Sequence, residues 1–159
     1  MNHDDYDDDY IRDILKETRT IGLVGASANW NRPSYFAMKY LQAKKFRVIP
    51  VNPGLAGQTL LGETVHASLD AIDTPIDMVD IFRNSEAAGS VTDDAIAIGA
   101  KVVWMQLNVR NDDAAKNAEA AGLKVVMNRC PKIEYARLSG ELSWNGFNSK
   151  VITSKRRRM

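Results

Sequence analysis

Three stretches of this chain are apolar almost without a break: IGLV (Ile21–Val24), KVVWM (Lys101–Met105) and KVVM (Lys124–Met127). A strand with one wet face alternates apolar and polar residues, whereas a near-continuous apolar run must be covered on both faces. Between these runs lie segments of helical periodicity. The order predicts a leading helix near 10–18, where Tyr10, Ile11, Ile14 and Leu15 share a face, then a strand at 20–24. A helix follows at 33–45, opened by Pro33, and a strand at 46–51, stopped by Asn52-Pro53-Gly54. Residues 52–75 read as a longer crossing with one short helix near 68–72. A strand at 76–82 precedes a helix at 85–98, with Asn84 or Ser85 as its cap and Gly99 beyond its end. The last units are a strand at 101–106, an Ala-rich helix at 112–121 capped by Asn111, a strand at 124–128 and a helix from Pro131 to Leu138.

Five strands alternating with helices imply a parallel sheet with helices on both faces. Right-handed crossovers leave few arrangements, and we expect a Rossmann-like doubly wound α/β sheet of order 2-1-3-4-5. All 159 residues read as a single domain, with a core at about 18–140, an acidic N-terminal arm and a basic C-terminal tail. The arm carries Asp4, Asp5, Asp7, Asp8 and Asp9, and the tail Lys155, Arg156, Arg157 and Arg158. The charges between them nearly balance, so general attraction to nucleic acid is not implied. The tail reads as a weak anionic-surface or RNA contact or, more simply, a solvated end. No run reaches a membrane-spanning length, and the acidic start is unlike a targeting peptide, so the expected location is cytoplasmic. A single Cys130 excludes an internal disulfide, and His3 and His66 are too few for a histidine metal centre.

In an open sheet of this order, ligands bind outside the carboxyl ends of the strands, at the switch point between strands 1 and 3. That rule selects Gly25-Ala26-Ser27, Asn52-Pro53-Gly54, Phe82-Arg83, Gln106-Leu107-Asn108 and Asn128-Arg129-Cys130. Gly25 and Ala26 let the backbone approach a ligand, and a helix start with Arg32 and Ser34 suits a phosphate. An ordinary turn with a solvated arginine and a capping serine fits the same residues. The dinucleotide fingerprint is absent: the glycines are wrongly spaced, and strand 2 ends in Asn52 rather than an acid. NADP is less excluded than NAD, because Lys44, Lys45 and Arg47 lie near strand 2 and could meet an adenosine phosphate, or form a solvated helix end. No nucleophile–base pair is evident. Cys130 could be reactive at a helix start, though an inert buried thiol is the simpler reading. Asp77 and Asp80 read as strand-end or sheet-edge carboxylates. Trp104 and Met105 read as core, and Trp30 as either a ligand cover or a helix contact.

Together these segments resemble the small CoA-binding proteins with a Rossmann-like fold, similar to the CoA-binding domain of the succinyl-CoA synthetase α subunit. The matching pieces are VGAS with N-x-x-R-x-S spacing (Val24–Ser34), VIPVNP (Val48–Pro53) and G-x-x-x-x-x-S-L (Gly62–Leu69). They continue with D-x-V-D-I-F-R (Asp77–Arg83), GAKVVWMQ (Gly99–Gln106) and AGLKVVMNRC (Ala121–Cys130), then Glu134 and Arg137. The resemblance implies coenzyme A, or an acyl-CoA, across the carboxyl ends of the sheet. Gly25, Ala26 and Ser27 would line the first phosphate turn, and Arg32 and Ser34 would meet phosphate oxygens. Asn52 and Pro53 would flank the adenosine, Phe82 and Arg83 would border the nucleotide or pantetheine, and Gln106 would sit nearer the thiol. Arg32, Arg83 and the Lys44–Arg47 cluster would supply the positive lining that the 3′-phosphate requires. The chain departs from the family at Lys44-Lys45 and Asn108, where glycine is common, at Asn128, where Asp is common, and at His66, where an aromatic is common. It lacks the histidine-bearing second domain and nucleotide-binding subunit of the synthetase. The expected function is therefore a non-catalytic CoA or acyl-CoA binder. An NADP-linked oxidoreductase or epimerase, an accessory subunit of an acyl-CoA ligase, and a structural protein with an empty cleft remain alternatives. Exposed apolar helix faces leave a homodimer open.

Overall fold

The computed structural model describes residues 1–140. The basic tail lies outside the described residues. Five parallel strands form the sheet: β1 (Thr20–Val24), β2 (Arg47–Val51), β5 (Met78–Ile81), β6 (Val102–Met105) and β7 (Lys124–Val126), in the order β2-β1-β5-β6-β7. This is the expected 2-1-3-4-5 order. The crossing after β2 holds a two-stranded hairpin, β3 (Thr59–Leu60) and β4 (Glu63–Thr64), which the sequence pattern did not predict. Its turn places Leu61 (φ 48°) and Gly62 (φ 85°) in left-handed backbone. Leucine is a poor residue for that conformation, so the usual Asn-Gly signal of a tight hairpin is missing.

The helices are α1 (Asp8–Glu17), α2 (Pro33–Ala43), α3 (Ala87–Ala97), α4 (Asp112–Ala120) and α5 (Pro131–Leu138). Asn111 caps α4 as expected, accepting the Ala114 N–H at 3.0 Å, while Glu86 holds the N-cap position of α3 and Asn84, two residues before it, accepts the Ala87 N–H at 2.7 Å. Strand alternation divides the buried residues into two cores. Ile21, Leu23, Val48, Met78 and Trp104 meet α1, α2 and α5, while Val24, Ile49, Val79, Ile81 and Val103 meet α3 and α4. Gly22 is the small member of the second set. A Cβ there would lie 2.9 Å from Leu69 Cδ2, so the missing side chain makes room for the turn Leu69–Ala71 against the sheet.

Asp80 corrects the expectation of a sheet-edge carboxylate. It lies on the central strand β5, between Leu23 and Trp104 in register, and is fully buried with neither carboxylate oxygen partnered. Burial raises its pKa well above the usual carboxylate value, because the charged form cannot be solvated there. Asp77 does stand at a strand end, where its Oδ2 accepts the N–H groups of Arg19 and Thr20 at 3.0 and 3.1 Å.

The acidic arm docks along the open edge of β7. The Tyr10 hydroxyl donates to Val125 O at 2.9 Å and accepts Val125 N–H at 3.0 Å. Met127 N–H donates to the Tyr6 hydroxyl at 2.8 Å, and the two phenol rings stack with centroids 5.8 Å apart. Two side chains thus fill hydrogen-bonding positions that a sixth strand would otherwise take. Asp4 pairs with Arg110 at 2.6 Å and Asp8 with Arg137 at 2.9 Å, tying the arm to α4's approach and to α5.

Two outcomes follow from these contacts. Burial makes Asp80 hold its proton more tightly in the folded state than in the unfolded chain, so wild-type stability falls as pH rises from about 4 toward the raised folded-state value. Asp80→Asn, which cannot ionise, is expected to gain on wild type in urea-unfolding midpoint as pH rises from about 4. Tyr10 is held by burial at a pKa of about 12, so the stability due to its protonated form is present below pH 10 and lost from there to pH 12. Tyr10→Phe strands the buried Val125 groups and is expected to cost about 1–3 kcal/mol. In alkaline melts the variant should lose less stability above pH 10 than wild type does.

Candidate functional site

The carboxyl ends of β1, β2, β5 and β6 open into one cleft of about 910 Å³. That is within the range of sites for nucleotide-sized ligands. Gly25, Ala26, Ser27, Arg32, Ser34, Asn52, Phe82, Arg83 and Gln106 all line it. Pro53, expected to flank the adenosine, does not, and neither do Asn128, Arg129 and Cys130 after β7. Pro53 opens the short turn Pro53–Leu55, whose Gly54 and Leu55 face the cleft instead.

Gly25 determines how the cleft forms. Its backbone sits at φ 94°, and a Cβ there would lie 2.3 Å from the Phe82 carbonyl oxygen. Only glycine lets the chain leaving β1 pass this close to the chain leaving β5. The N–H groups of Gly25 and Ala26 donate to Val51 O at 3.0 and 3.3 Å, which draws the same turn onto β2. Asn52 completes the join. Its Nδ2 donates to Ala26 O at 2.7 Å and its Oδ1 accepts Gly54 N–H at 2.8 Å, so its amide is spent on positioning the loop.

The N-terminus of α2 faces this cleft. Arg32, not Ser34, holds the N-cap position and makes no capping hydrogen bond with its side chain. Arg32, Pro33 and Ser34 line the cleft, so the positive end of an eleven-residue helix points into it. An anion there gains roughly 0.3–1 kcal/mol from the dipole. The exposed guanidinium groups of Arg32 and Arg83 add two fixed charges. Gln106 is buried, and its Oε1 has no hydrogen-bond partner. An acceptor left unmet at the wall of a cleft fits a ligand N–H or O–H.

The loop after β6 was only partly foreseen. Leu107, Asn108 and Val109 all line the cleft. Asn108 adopts φ 69° and Asn128 φ 58°, and the Asn128 Oδ1 accepts the Asn108 N–H at 2.7 Å. Two asparagines therefore hold left-handed turns where the family commonly has Gly and Asp. Trp30 is 69% exposed and does not line the cleft, and Trp104 is core, its Nε1 donating to Arg129 O at 2.9 Å. Cys130 is buried at the N-cap of α5.

The Lys44–Arg47 cluster is a correction. These residues stand at the amino end of β2, a full strand away from the cleft, about 16 Å for five residues. Arg47 Nε pairs with Glu63 at 3.2 Å, and Lys44 and Lys45 line a different cavity. They do not supply the positive lining of the carboxyl-end cleft. Among the described residues no group of three or more His, Cys, Asp or Glu could hold a metal, and no helix is long and apolar enough to cross a membrane.

This fold and cleft are those of a nucleotide-binding α/β domain. The model of the CoA binding domain family matches residues 19–136, and the chain belongs to that family. It is 34% identical over 126 residues to the uncharacterized protein YneT of Bacillus subtilis strain 168, spanning 79% of this chain and 92% of YneT. Among solved structures, a hypothetical protein from Pyrococcus horikoshii OT3 is 39% identical with a TM-score of 0.82, covering 88% of this chain and 97% of its own. The cell-free ID.343 protein of Thermus thermophilus is 34% identical with a TM-score of 0.80, covering 84% of this chain and 99% of its own.

Gly25→Ala tests the crossing. Left-handed strain alone costs about 1–3 kcal/mol, and the Phe82–Arg83 backbone must also retreat. The expected result is a melting temperature several degrees lower, together with loss of any ligand-induced stabilisation.

Proposed function

We propose that this protein binds coenzyme A or an acyl-CoA in the carboxyl-end cleft and performs no chemistry on it. The observation that carries the reading is the cleft's lining. Apart from Arg32 and Arg83, the described residues that line it carry no ionisable side chain: no carboxylate, imidazole, thiol or amine stands among them. General acid–base chemistry needs a group that gains and loses a proton near neutral pH, and guanidinium does not. Two permanent cations, a helix N-terminus and an unmet acceptor instead suit holding a phosphorylated ligand that also carries amide and hydroxyl donors. The pantetheine arm has such donors, and Gln106 stands where one could be accepted.

Arg32 and Ser34 at the start of α2 would meet the diphosphate, with Gly25 leaving room for it. Phe82 offers a flat apolar surface beside it, and the exposed Leu107 extends that surface along the rim. With the Lys44–Arg47 cluster excluded, Arg83 is the second cation available to the 3′-phosphate, which carries about −1.5 to −2 charges. An NADP-linked reductase is less well supported, because the lining offers no proton donor for a reduced substrate.

A thermal-shift comparison of CoA, dephospho-CoA, NADP and NAD at equal concentration tests the reading. At about 100 times the dissociation constant, binding adds roughly 2.7 kcal/mol, or on the order of 5–10 °C for a chain of this size. CoA should give the largest shift, dephospho-CoA a smaller one, and Arg32→Ala should lower both. Acetyl-CoA incubated with the protein should release no free thiol. A shift with NADP alone, or thiol release, would overturn the proposal.

A further inference from the structure

A second cavity, of about 530 Å³, lies at the opposite end of the sheet, where the chain enters β1 and β2. Arg12, Lys16, Arg19, Lys44 and Lys45 line it, and among the described residues no carboxylate does. Leu15, Phe46, Tyr135 and Leu138 give it an apolar wall. Arg12 is answered by Asp9 at 2.6 Å. Lys16, Arg19 and Lys45 have exposed side chains and make no ion pair among the described residues. Like charges lining one cavity repel one another, so Lys16, Arg19 and Lys45, unpaired among the described residues, stand there at a cost to folding.

Lys45 adds a separate observation. It follows α2 at φ 78°, a conformation that costs an L-residue about 1–2 kcal/mol and that glycine adopts freely. A lysine therefore occupies, at a cost in stability, the position beyond a helix end where glycine is favoured, and it lines this cavity. Strained backbone held at a concave, charged site is a mark of function.

We propose that this cavity binds a small amphipathic anion: an organic acid whose carboxylate or sulfonate meets Lys16, Arg19 and Lys45 while its apolar body lies against Leu15, Phe46 and Tyr135. Its volume suits a small molecule, and its charge excludes cationic and neutral ones as preferred ligands. The site is separate from the carboxyl-end cleft, so the proposal stands whether or not that cleft holds coenzyme A. The concave shape favours a small molecule over a membrane surface, which would need an exposed convex or flat patch.

Titration calorimetry of the full chain with decanoate, with 1-decanol as its neutral counterpart, tests this. Decanoate should bind at least tenfold more tightly than decanol. Lys16→Gln combined with Arg19→Gln, both at exposed positions, should weaken decanoate at least tenfold without lowering the melting temperature, while Arg32→Ala in the other cleft should leave it unchanged. Lys45→Gly is the more discriminating variant, expected to raise the melting temperature by a few degrees while weakening decanoate severalfold. Absence of decanoate binding, equal binding of decanol, loss with Arg32→Ala instead, or association only with vesicles of anionic lipid would each overturn the proposal.

Discussion

The cleft exists because two chain segments leaving neighbouring parallel strands touch where most residues would keep them apart. Gly25 passes the Phe82 carbonyl at a distance no side chain permits, and Val51 O draws the same turn onto β2. The ends of β1, β2 and β5 are thereby brought to one point, and the turn into α2 can present its amide dipole to whatever lies above them. Arg32 and Ser34 at the start of α2 and Arg83 just beyond β5 all stand at this crossing. The lining cations are exposed and replaceable. The glycine beneath them has no substitute of similar geometry.

Much of the architecture was readable because two-sided burial leaves a strong trace. The runs at Ile21–Val24, Val102–Met105 and Lys124–Met127 could be nothing but interior strands, and helical periods between them fixed the topology. Asn111 and Asn84 announced their helix starts by chemistry alone. What was not readable depended on placement in space. Lys44, Lys45 and Arg47 are near strand 2 in sequence, but the lysines precede it and Arg47 opens it, and a parallel strand carries its two ends to opposite sides of the domain. Asp80 looked like an edge residue because a lone carboxylate in a strand usually is one. Only the strand order shows it to be central. The hairpin at Thr59–Thr64 was hidden by Leu61, which occupies a backbone conformation its side chain disfavours.

Several positions show the fold accepting instability. An unpaired acid sits in the middle of the sheet, and a lysine occupies left-handed backbone beside four other cations. The two asparagines at 108 and 128 tolerate the left-handed region better than most residues and support each other, the side chain of one holding the backbone of the other. The core beneath α1, α2 and α5 is where the acid lies. It also carries the aromatic contacts of Tyr135 with Tyr40 and Phe46, which join α5 to the helix that enters the cleft.

The family match begins at residue 19, after the arm and α1. A chain cut there would keep every residue of the carboxyl-end cleft. It would also lose Tyr6 and Tyr10, leaving the amides of Val125 and Met127 facing outward along a bare strand. Such an edge recruits another copy of itself as readily as any other partner. The unit matched by the family model is thus smaller than the unit that covers the edge of its own sheet. Two phenols from outside the shared region are what stop the sheet at five strands.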